Sequence, residues 1–346
     1  MSDNRLRNVL VTGANGYIGS AVCRAFARAG WQTFGLIRRP EAAKELILSE
    51  VIPVVGSFTD LTFLDTLFEQ VKTFDAIVSC TEKLPGYAAH FEEVISCVTT
   101  LAEKSNQNGV RPLVLWSSGC KDYGTTDVHG APGLAPHVEE SPLNGPEILK
   151  ERTTSSAKVF DYGTLFDAAV IRPTCVFGYS SSYYGSMFDF AAARKEEGAE
   201  VLKIPGNPNS IMHATHVDDC AEAYVVLAEH PDRAVISGQY FNISGYRYET
   251  AKEVTSAIAQ EYGFKGGVEF VPASEAGPSF PGGLHYVFSF SQWVGSDKIR
   301  SVCGWKDRRA LFSRAVHVHR LAYEALKEGN NANVAEVQKR MQNNFG

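Results

Sequence analysis

The feature that most constrains this chain is a run of three evenly spaced glycines close to its beginning. A short apolar segment with β-branched residues, Asn8 to Thr12, leads directly into Gly13-Ala-Asn-Gly16-Tyr-Ile-Gly19. Apolar residues then recur with helical spacing as far as Gly30, as in a helix that ends at a glycine. The order strand, glycine-rich turn, helix predicts the first βα unit of an α/β protein, with its first strand inside a parallel sheet.

Each glycine in such a turn has its own physical role. One allows the tight turn, one lets a pyrophosphate approach the backbone, and one permits the helix to pack closely on the strand. The pyrophosphate would then face the free N–H groups and the positive dipole end of the new helix. We therefore predict that a dinucleotide contacts the tip of the turn and the first helical turn: Gly13, Asn15, Gly16, Tyr17, Ile18 and Gly19.

The end of the second predicted strand, Thr33 to Ile37, indicates which dinucleotide this is. A site specific for NAD has Asp or Glu here to accept a hydrogen bond from the ribose 2′-hydroxyl. This chain has Arg38 and Arg39 instead, with Lys44 a turn or two later. Because guanidinium groups pair bidentately with phosphate, the pattern favours NADP(H). The alternative is a solvated basic loop.

Composition and charge exclude several other classes of protein. Of 346 residues, 44% are hydrophobic and 21% are charged, unlike collagen, coiled coils or largely disordered chains. The net charge is −6, and no basic run is longer than Arg38-Arg39, so we expect no nucleic-acid partner. No apolar stretch reaches the roughly 18–20 residues that cross a bilayer, so we expect no membrane partner.

Cysteine usage and the polar start of the chain predict a cytoplasmic protein. The seven cysteines are dispersed and include no CxxC pair, which is typical of reduced thiols. The start leads directly into the first strand and leaves no room for a signal peptide. His213 and His216 lie near Asp218 and Asp219, but one of these carboxylates can cap the helix that follows. We therefore predict no metal site.

Later segments, together with the glycine-rich opening, resemble the extended and atypical short-chain dehydrogenases/reductases, which are NAD-dependent epimerase/dehydratase-like. The opening VTGANGYIGS is similar to the first turn of these proteins. Five further segments match family elements in the same order, over a resemblance that covers residues 6 to about 312: Phe74 to Cys80, Leu113 to Ser118, Val170 to Gly178, His216 to Tyr224 and Asp297 to Trp305.

The alternation of strands with helical segments such as Tyr87 to Lys104 predicts an α/β fold with a Rossmann-type doubly wound parallel sheet. The resemblance adds a smaller C-terminal substrate-capping region. We assign residues 1–178 and 212–245 to the NADP-binding domain and residues 179–211 and 246–325 to the substrate-binding region. Residues 326–346, rich in Asn and charge, are expected to be a tail with a frayed helix.

The resemblance implies a catalytic Tyr and Lys, spaced YxxxK on one helix, in which the Lys holds the nicotinamide ribose and lowers the Tyr pKa. None of the tyrosines ahead of Arg172-Pro173, where the family has this motif, begins such a run; the two runs with this spacing, Tyr248 to Lys252 and Tyr323 to Lys327, lie far downstream. Counting back from Arg172-Pro173 by the family's usual interval puts Pro146 at the Tyr position and keeps Lys150 as the Lys. The Ser or Thr expected four residues before Tyr123 is Gly119.

The proton donor is therefore open at this point. Ser118, Tyr123 and Lys150 are the nearest candidates, and Cys120 is a weaker one. The resemblance also implies cofactor contacts at or near the strand ends: Asp60, Cys80, Thr81, Ser117, Lys150, Pro173 and Val176. The adenine contact is in doubt because Ser57 replaces the first acid of a family motif that ends at Asp60.

These observations predict an NADP(H)-dependent oxidoreductase that reduces a small carbonyl or enone metabolite. Two alternatives remain: a redox-inactive NADP-binding sensor, and a redox-neutral isomerase, epimerase or lyase on the same fold. Tyr183, Tyr184 and Phe188 follow a strand end where relatives contact substrate, although they could equally pack beneath a loop. The resemblance also makes a homodimer possible.

Overall fold

In the computed structural model, which describes residues 5–180, 182–275 and 280–342, strands and helices alternate along the chain. The strands are β1 (Asn8–Thr12), β2 (Gln32–Ile37), β3 (Ile52–Val55), β4 (Ala76–Ser79), β5 (Leu113–Ser117), β6 (Asp167–Pro173), β7 (Cys175–Phe177), β8 (Leu202–Pro205), β9 (Ile211–Met212), β10 (Ala214–His216), β11 (Gln239–Ile243), β12 (Glu249–Thr250) and β13 (Val268–Val271). The helices are α1 (Tyr17–Arg28), α2 (Ala43–Ile47), α3 (Phe63–Gln70), α4 (Tyr87–Gln107), α5 (Lys150–Ser155), α6 (Ser182–Glu196), α7 (Val217–Ala228), α8 (Ala251–Glu261), α9 (Gly282–Ser289), α10 (Asp297–Cys303), α11 (Val316–Glu328) and α12 (Ala332–Gln342). None of these helices is both long enough and apolar enough to cross a bilayer.

Seven strands form one parallel sheet in the order β11-β6-β5-β4-β1-β2-β3. The chain winds outward in one direction from β1 to β3 and in the other from β4 to β11. This reversal between β1 and β4 opens a crevice at the carboxyl edge of the sheet, where ligands of such folds bind. The predicted Rossmann-type doubly wound sheet is confirmed, and the glycine-rich turn lies at the reversal.

Helices bury both faces of this sheet, which explains the continuously apolar sequence of its strands. Val9 and Val11 pack on one face with residues of α1 and α7 such as Phe26. Leu10, between them, packs on the other face with residues of α3 and α4 such as Phe91. Successive side chains of a strand point to opposite faces of the sheet. In a strand covered on both faces, every position is therefore buried and apolar residues are favoured throughout.

A third hydrophobic cluster lies beyond the two on the sheet faces and is formed by α6, α8, α9, α11 and α12 around rings such as Phe312 and Tyr323. We call this unit the capping lobe. Three small two-stranded sheets, β7 with β10, β8 with β13 and β9 with β12, accompany the helices. The division into residues 1–178 with 212–245 and residues 179–211 with 246–325 stays a prediction.

The C-terminal segment differs from the frayed tail that its composition led us to expect. Helix α12 is part of the capping lobe, and Val334 and Met341 are buried there. At its start, the Asn333 side-chain amide donates a hydrogen bond to the Asn15 carbonyl oxygen at 3.3 Å. Val334, Val337 and Met341 are spaced three and four residues apart, so a few apolar residues suffice to give the helix one buried stripe.

Candidate functional site

The glycine-rich turn is packed so closely that its three glycines have no room for side chains. Gly13 adopts a φ of +64°, and a Cβ there would lie 2.8 Å from the Cys80 carbonyl oxygen. A Cβ on Gly16 would lie 3.0 Å from the Gly13 carbonyl oxygen, and one on Gly19 would collide with that oxygen. The turn therefore exposes backbone where other sequences would place side chains.

Helix α1 begins at Tyr17, and no side chain caps its first turn. The N–H of Ser20 is bonded to the Gly16 carbonyl, whereas the N–H groups before it, in the first turn, precede the intrahelical ladder. Tyr17 contributes backbone only, because its hydroxyl donates to the Gly178 carbonyl oxygen at 2.6 Å. A bare glycine cradle at an uncapped helix start fits the pyrophosphate of a dinucleotide.

Arg38 and Arg39 follow β2 directly, next to the turn. The two segments are joined by a hydrogen bond from the Ala14 N–H to the Leu36 carbonyl oxygen at 3.2 Å. Arg38, Arg39 and Lys44 are exposed, and within the described ranges none of them forms an ion pair with a carboxylate. They are therefore available to an anion that lies against the end of β2.

Asp60, the predicted contact near the adenine, has a local role. Its carboxylate accepts a hydrogen bond from the Thr62 N–H at 3.0 Å, just before α3. This bond lowers the pKa of the exposed Asp60 carboxyl. Any contact between Asp60 and a cofactor stays a prediction.

The ends of β4, β5 and β6 meet at the carboxyl edge because these strands are neighbours in the sheet. Cys80 follows β4, and Ser117 ends the adjacent strand β5. The Cys80 Sγ lies 3.6 Å from the Ser117 Oγ, and burial raises the pKa of the Cys80 thiol to about 12. A Cβ on Gly13 would lie 3.0 Å from Thr81 Cγ2, and the Thr81 Oγ1 is hydrogen-bonded to His90 Nε2 at 3.0 Å. Pro173 and Val176 lie at the end of β6 and in β7. These positions of the edge thus carry uncharged groups.

The structure contradicts the placement of Lys150 at this edge. A short 3-10 turn, Glu147–Leu149, precedes α5, and the Lys150 side chain points outward from the first helical position. Its ammonium lies 3.2 Å from the Glu147 carboxylate, and two thirds of the side chain is exposed, 67%. Lys150 is therefore an exposed residue paired with Glu147.

Arg152, two residues further on, is the cation that faces inward. Its Nε and Nη2 donate to Asp122 Oδ1 at 3.2 and 2.7 Å, and its Nη1 donates to Glu82 Oε1 at 2.7 Å. The sequence prediction named Lys150 and not this arginine. Its helical phase was the available signal, because Leu149, Arg152 and Ser156 are spaced three and four residues apart and all are buried.

Asp122 is the centre of this network and is completely buried. Besides Arg152, it accepts hydrogen bonds from the hydroxyls of Ser118 at 2.5 Å and Thr153 at 3.0 Å. Arg172 Nε lies 3.9 Å from Asp122 Oδ2. Because Ser118 donates its proton to Asp122, the hydroxyl that the sequence offered as a proton donor is already engaged. We call Glu82, Ser118, Asp122 and Arg152 the edge network.

Tyr123, the other predicted hydroxyl donor, belongs to the core. Its hydroxyl donates to Asn242 Oδ1 at 2.8 Å and accepts from Arg172 Nη1 at 3.0 Å, and its ring stacks on His137. Burial raises its pKa well above the usual value. The Tyr123 hydroxyl is thus engaged within the protein, and its predicted catalytic role stays a prediction. The weaker candidate Cys120 is also buried, with its thiol donating to the Arg172 carbonyl oxygen.

The predicted substrate aromatics take different positions. Tyr184 and Phe188 pack on Phe312 in the capping lobe, with ring centroids 4.4 and 5.7 Å apart. Phe188 is a core residue of the lobe, 1% exposed, and its predicted substrate contact stays a prediction. Tyr184 is among the residues that line a small cavity. The preceding residue, Tyr183, is partly buried. Substrate contacts by Tyr183 and Tyr184 stay predictions.

The two histidines considered for a metal are both hydrogen-bonded within the protein. His213 Nε2 bonds the Gly245 carbonyl oxygen, and its Nδ1 accepts from the Val294 N–H. His216 caps α7 by accepting from the Asp218 N–H, so the cap expected from a carboxylate is made by an imidazole. Among the described residues, no group of three His, Cys, Asp or Glu side chains could hold a metal ion.

Comparisons with known proteins agree with this architecture. Residues 9–244 match the model of the NAD dependent epimerase/dehydratase family. A Schizosaccharomyces pombe protein described as uncharacterized is 37% identical over 262 residues, 73% of this chain and 75% of its own length. The spore coat polysaccharide biosynthesis protein SpsK of Bacillus subtilis is 24% identical over 284 residues, 82% of this chain and 89% of its own.

Among solved structures, dTDP-glucose 4,6-dehydratase of Bacillus anthracis in complex with NAD is similar with a TM-score of 0.70. The similarity covers 93% of this chain and 98% of that one at 16% identity. At this identity the likeness concerns the fold.

Proposed function

The chain belongs to the NAD dependent epimerase/dehydratase family, and from this premise we propose that it is an enzyme that binds NADP(H) and reduces a small carbonyl or enone metabolite. One observation carries the proposal: a bare glycine cradle at the start of α1 lies beside Arg38 and Arg39. When bound, the nicotinamide would supply the hydride. Every other requirement of the reaction falls to the chain's own residues.

The preference for NADP(H) rests on the end of β2. The backbone N–H groups of the first turn of α1 would hold the pyrophosphate, and the exposed guanidinium groups of Arg38 and Arg39 would hold the 2′-phosphate. No Asp or Glu follows β2 to accept from a 2′-hydroxyl before Glu41. The related dehydratase was solved with NAD, so this chain would differ from it in cofactor.

Arg152 is the buried cation of the edge network and lies two positions after the lysine of the family pattern. Arg152 is held by Asp122 and Glu82, and a guanidinium keeps its charge at all relevant pH values. We therefore assign Arg152 to positioning and electrostatics and not to proton transfer. Ser118 Oγ, whose own proton goes to Asp122, has lone pairs with which it can hold a water molecule as the proton source.

The hydrogen bonds of Ser118 and Tyr123 also favour a second candidate function, one without net hydride transfer. The hydroxyls of Ser118 and Tyr123 both donate to acceptors within the protein, so neither is free to protonate a substrate oxygen directly. A redox-neutral isomerase, epimerase or lyase, or an NADP sensor, would need no such donor. The test below separates these functions.

The test is hydride tracing with NADPH deuterated at C4, using each stereoisomer in turn. The protein is incubated with the labelled cofactor and a small-molecule extract, and deuterated metabolites are sought by mass spectrometry. A single labelled compound would support the reductase. No label, with NADPH bound in the same sample, would exclude it. Metabolites that changed without label would then indicate a redox-neutral enzyme.

Matched glycine variants make this test specific. Gly19→Ala should abolish NADPH binding and labelling, because its Cβ collides with the Gly13 carbonyl oxygen. Gly163→Ala is the control, since Gly163 is exposed, has right-handed helical φ, and a Cβ there would meet only the Phe160 carbonyl oxygen at 3.5 Å.

A further inference from the structure

A small cavity lies between the carboxyl edge of the sheet and the capping lobe. Lys121 lines it from the turn after β5, Cys175 from β7, and Tyr184 from α6. Lys121 follows Ser118 by three residues, and Cys175 follows Pro173 by two. The cavity is therefore adjacent to the strand ends that would hold the nicotinamide, where a substrate of this fold is expected.

Among the described residues, Lys121 is a cation without an anion. Its ammonium lies 3.7 Å from the ring centroid of Phe290 and 4.7 Å from that of Tyr286. Within the part of the chain that the structure describes, it forms no ion pair and no hydrogen bond. The next residue, Asp122, does not neutralise it, because its carboxylate is bonded to Arg152, Thr153 and Ser118.

The other polar groups of the cavity carry no charge that could satisfy this ammonium. Both nitrogens of His213 are hydrogen-bonded, and burial lowers its pKa to about 4, so it is neutral at pH 7. The Gln292 side-chain amide donates to the carbonyl oxygens of Cys120 and Gly124. Lys121 is therefore the one charged side chain among the described residues that line this cavity.

Leaving this ammonium unpaired has an energetic cost, which a ligand can remove. Burial lowers the pKa of Lys121, and the aromatic faces compensate only part of the lost hydration. An anion that entered the cavity would restore a charge-assisted hydrogen bond in a site of low dielectric. A neutral ligand would leave the cost in place.

We propose that Lys121 binds the carboxylate of the substrate, so that the metabolite reduced at this site is a small oxo acid or enoic acid. This assignment rests on the proposed function, because it names the substrate class of the same site. A carboxylate fits better than a phosphate. The lining offers a single ammonium, whereas phosphate groups are usually held by several donors. Arg152 is already bonded to Asp122 and Glu82 and adds none.

The test measures binding without turnover, using oxamate as the probe and its neutral ester, ethyl oxamate, as the matched control. Calorimetric titrations are made on the full-length wild-type protein with and without NADPH. Wild type should bind oxamate and not the ester. Lys121→Met should weaken oxamate binding roughly tenfold or more, the loss of one charged hydrogen bond. Lys121→Arg should retain most of it, and the exposed-site variant Lys150→Met should bind like wild type.

Thermal melting of each variant verifies that it is folded. If Lys121→Met does not fold, the comparison of Lys121→Arg with wild type still tests the proposal. Absence of oxamate binding by wild type, equal binding of the ester, or binding of inorganic phosphate in preference to oxamate would overturn the carboxylate assignment. Oxamate binding that depends on Lys121 would support it even if no deuterium is transferred, in which case the reductase alone fails. Deuterium transfer to a neutral carbonyl compound without oxamate binding would leave the reductase standing and refute the role of Lys121.

Discussion

At the scale of single residues, a shift of two positions along one short helix decides which cation belongs to the site. Lys150 and Arg152 are both basic and nearly adjacent in sequence, yet one is exposed beside Glu147 and the other is buried against Asp122. A buried carboxylate that loses its guanidinium partner is left uncompensated, which costs far more than an exposed ion pair.

Replacing these two residues should therefore have very different effects on stability. Arg152→Met should lower the free energy of unfolding by about 3–5 kcal/mol, because Asp122 Oδ1 would lose the guanidinium that donates two hydrogen bonds to it. Lys150→Met should change it by no more than about 0.5 kcal/mol. Urea denaturation of both variants measures the difference. Similar losses in the two variants would contradict the inward position of Arg152.

The sequence predicted site residues well where the backbone conformation allows only one residue type. It predicted them less well where the position on a helix determines which side chain faces the site. The cradle of Gly13, Gly16 and Gly19 could be predicted because only glycine tolerates such close contacts. Arg152 could not be predicted from a motif built on lysine. Lys121 gave no signal because its unpaired state arises only when α9 and the following loop bring Tyr286 and Phe290 over it.

At the scale of secondary-structure elements, α12 is the largest departure from expectation. Its polar composition led us to expect a tail, whereas its apolar stripe packs into the capping lobe and its start is bonded to the glycine-rich turn. Composition averages over all faces of a helix, and packing depends on one face alone.

The packing of α12 predicts a clear contrast between two of its residues. Met341 is buried against Gly283, so Met341→Ala should lower the free energy of unfolding by about 2–5 kcal/mol through loss of burial and creation of a cavity. Lys339 is exposed, and Lys339→Ala should be close to neutral. Denaturation curves of the two variants provide the comparison. A neutral Met341→Ala would indicate that the segment is a tail after all.

At the scale of the whole molecule, the topology followed from sequence because continuously apolar strands need helices on both faces of a parallel sheet. The capping lobe was less predictable, since its helices and three small sheets come from distant parts of the chain. The lobe also holds His319, which is buried against Phe312, whereas His213 is buried at the join between sheet and lobe.

These buried histidines predict that the fold loses stability in mild acid. Burial lowers the pKa of both His213 and His319 to about 4, from a usual 6.5. Below pH 6.5 the unfolded chain takes up protons that the folded chain refuses until about pH 4, so stability is greatest above this window and falls through it. Between pH 7.5 and 5.5, each histidine should cost about 1.4 kcal/mol.

Urea denaturation at these two pH values tests this prediction. His213→Gln should reduce the pH-dependent loss by about 1.4 kcal/mol relative to wild type. His285→Gln, at an exposed position, serves as the control and should behave like wild type. If His213→Gln shows the wild-type dependence, the buried neutral imidazole is refuted.

Binding of NADP(H) by the cradle and its neighbouring arginines is tested by the relative affinities for NADPH and NADH. Both are measured by calorimetric titration of wild type and of the double variant Arg38→Ala/Arg39→Ala. We expect wild type to bind NADPH roughly tenfold or more tightly than NADH, and the double variant to lose this preference while its affinity for NADH is unchanged. Equal affinities in wild type, or equal losses for both cofactors in the variant, would contradict it.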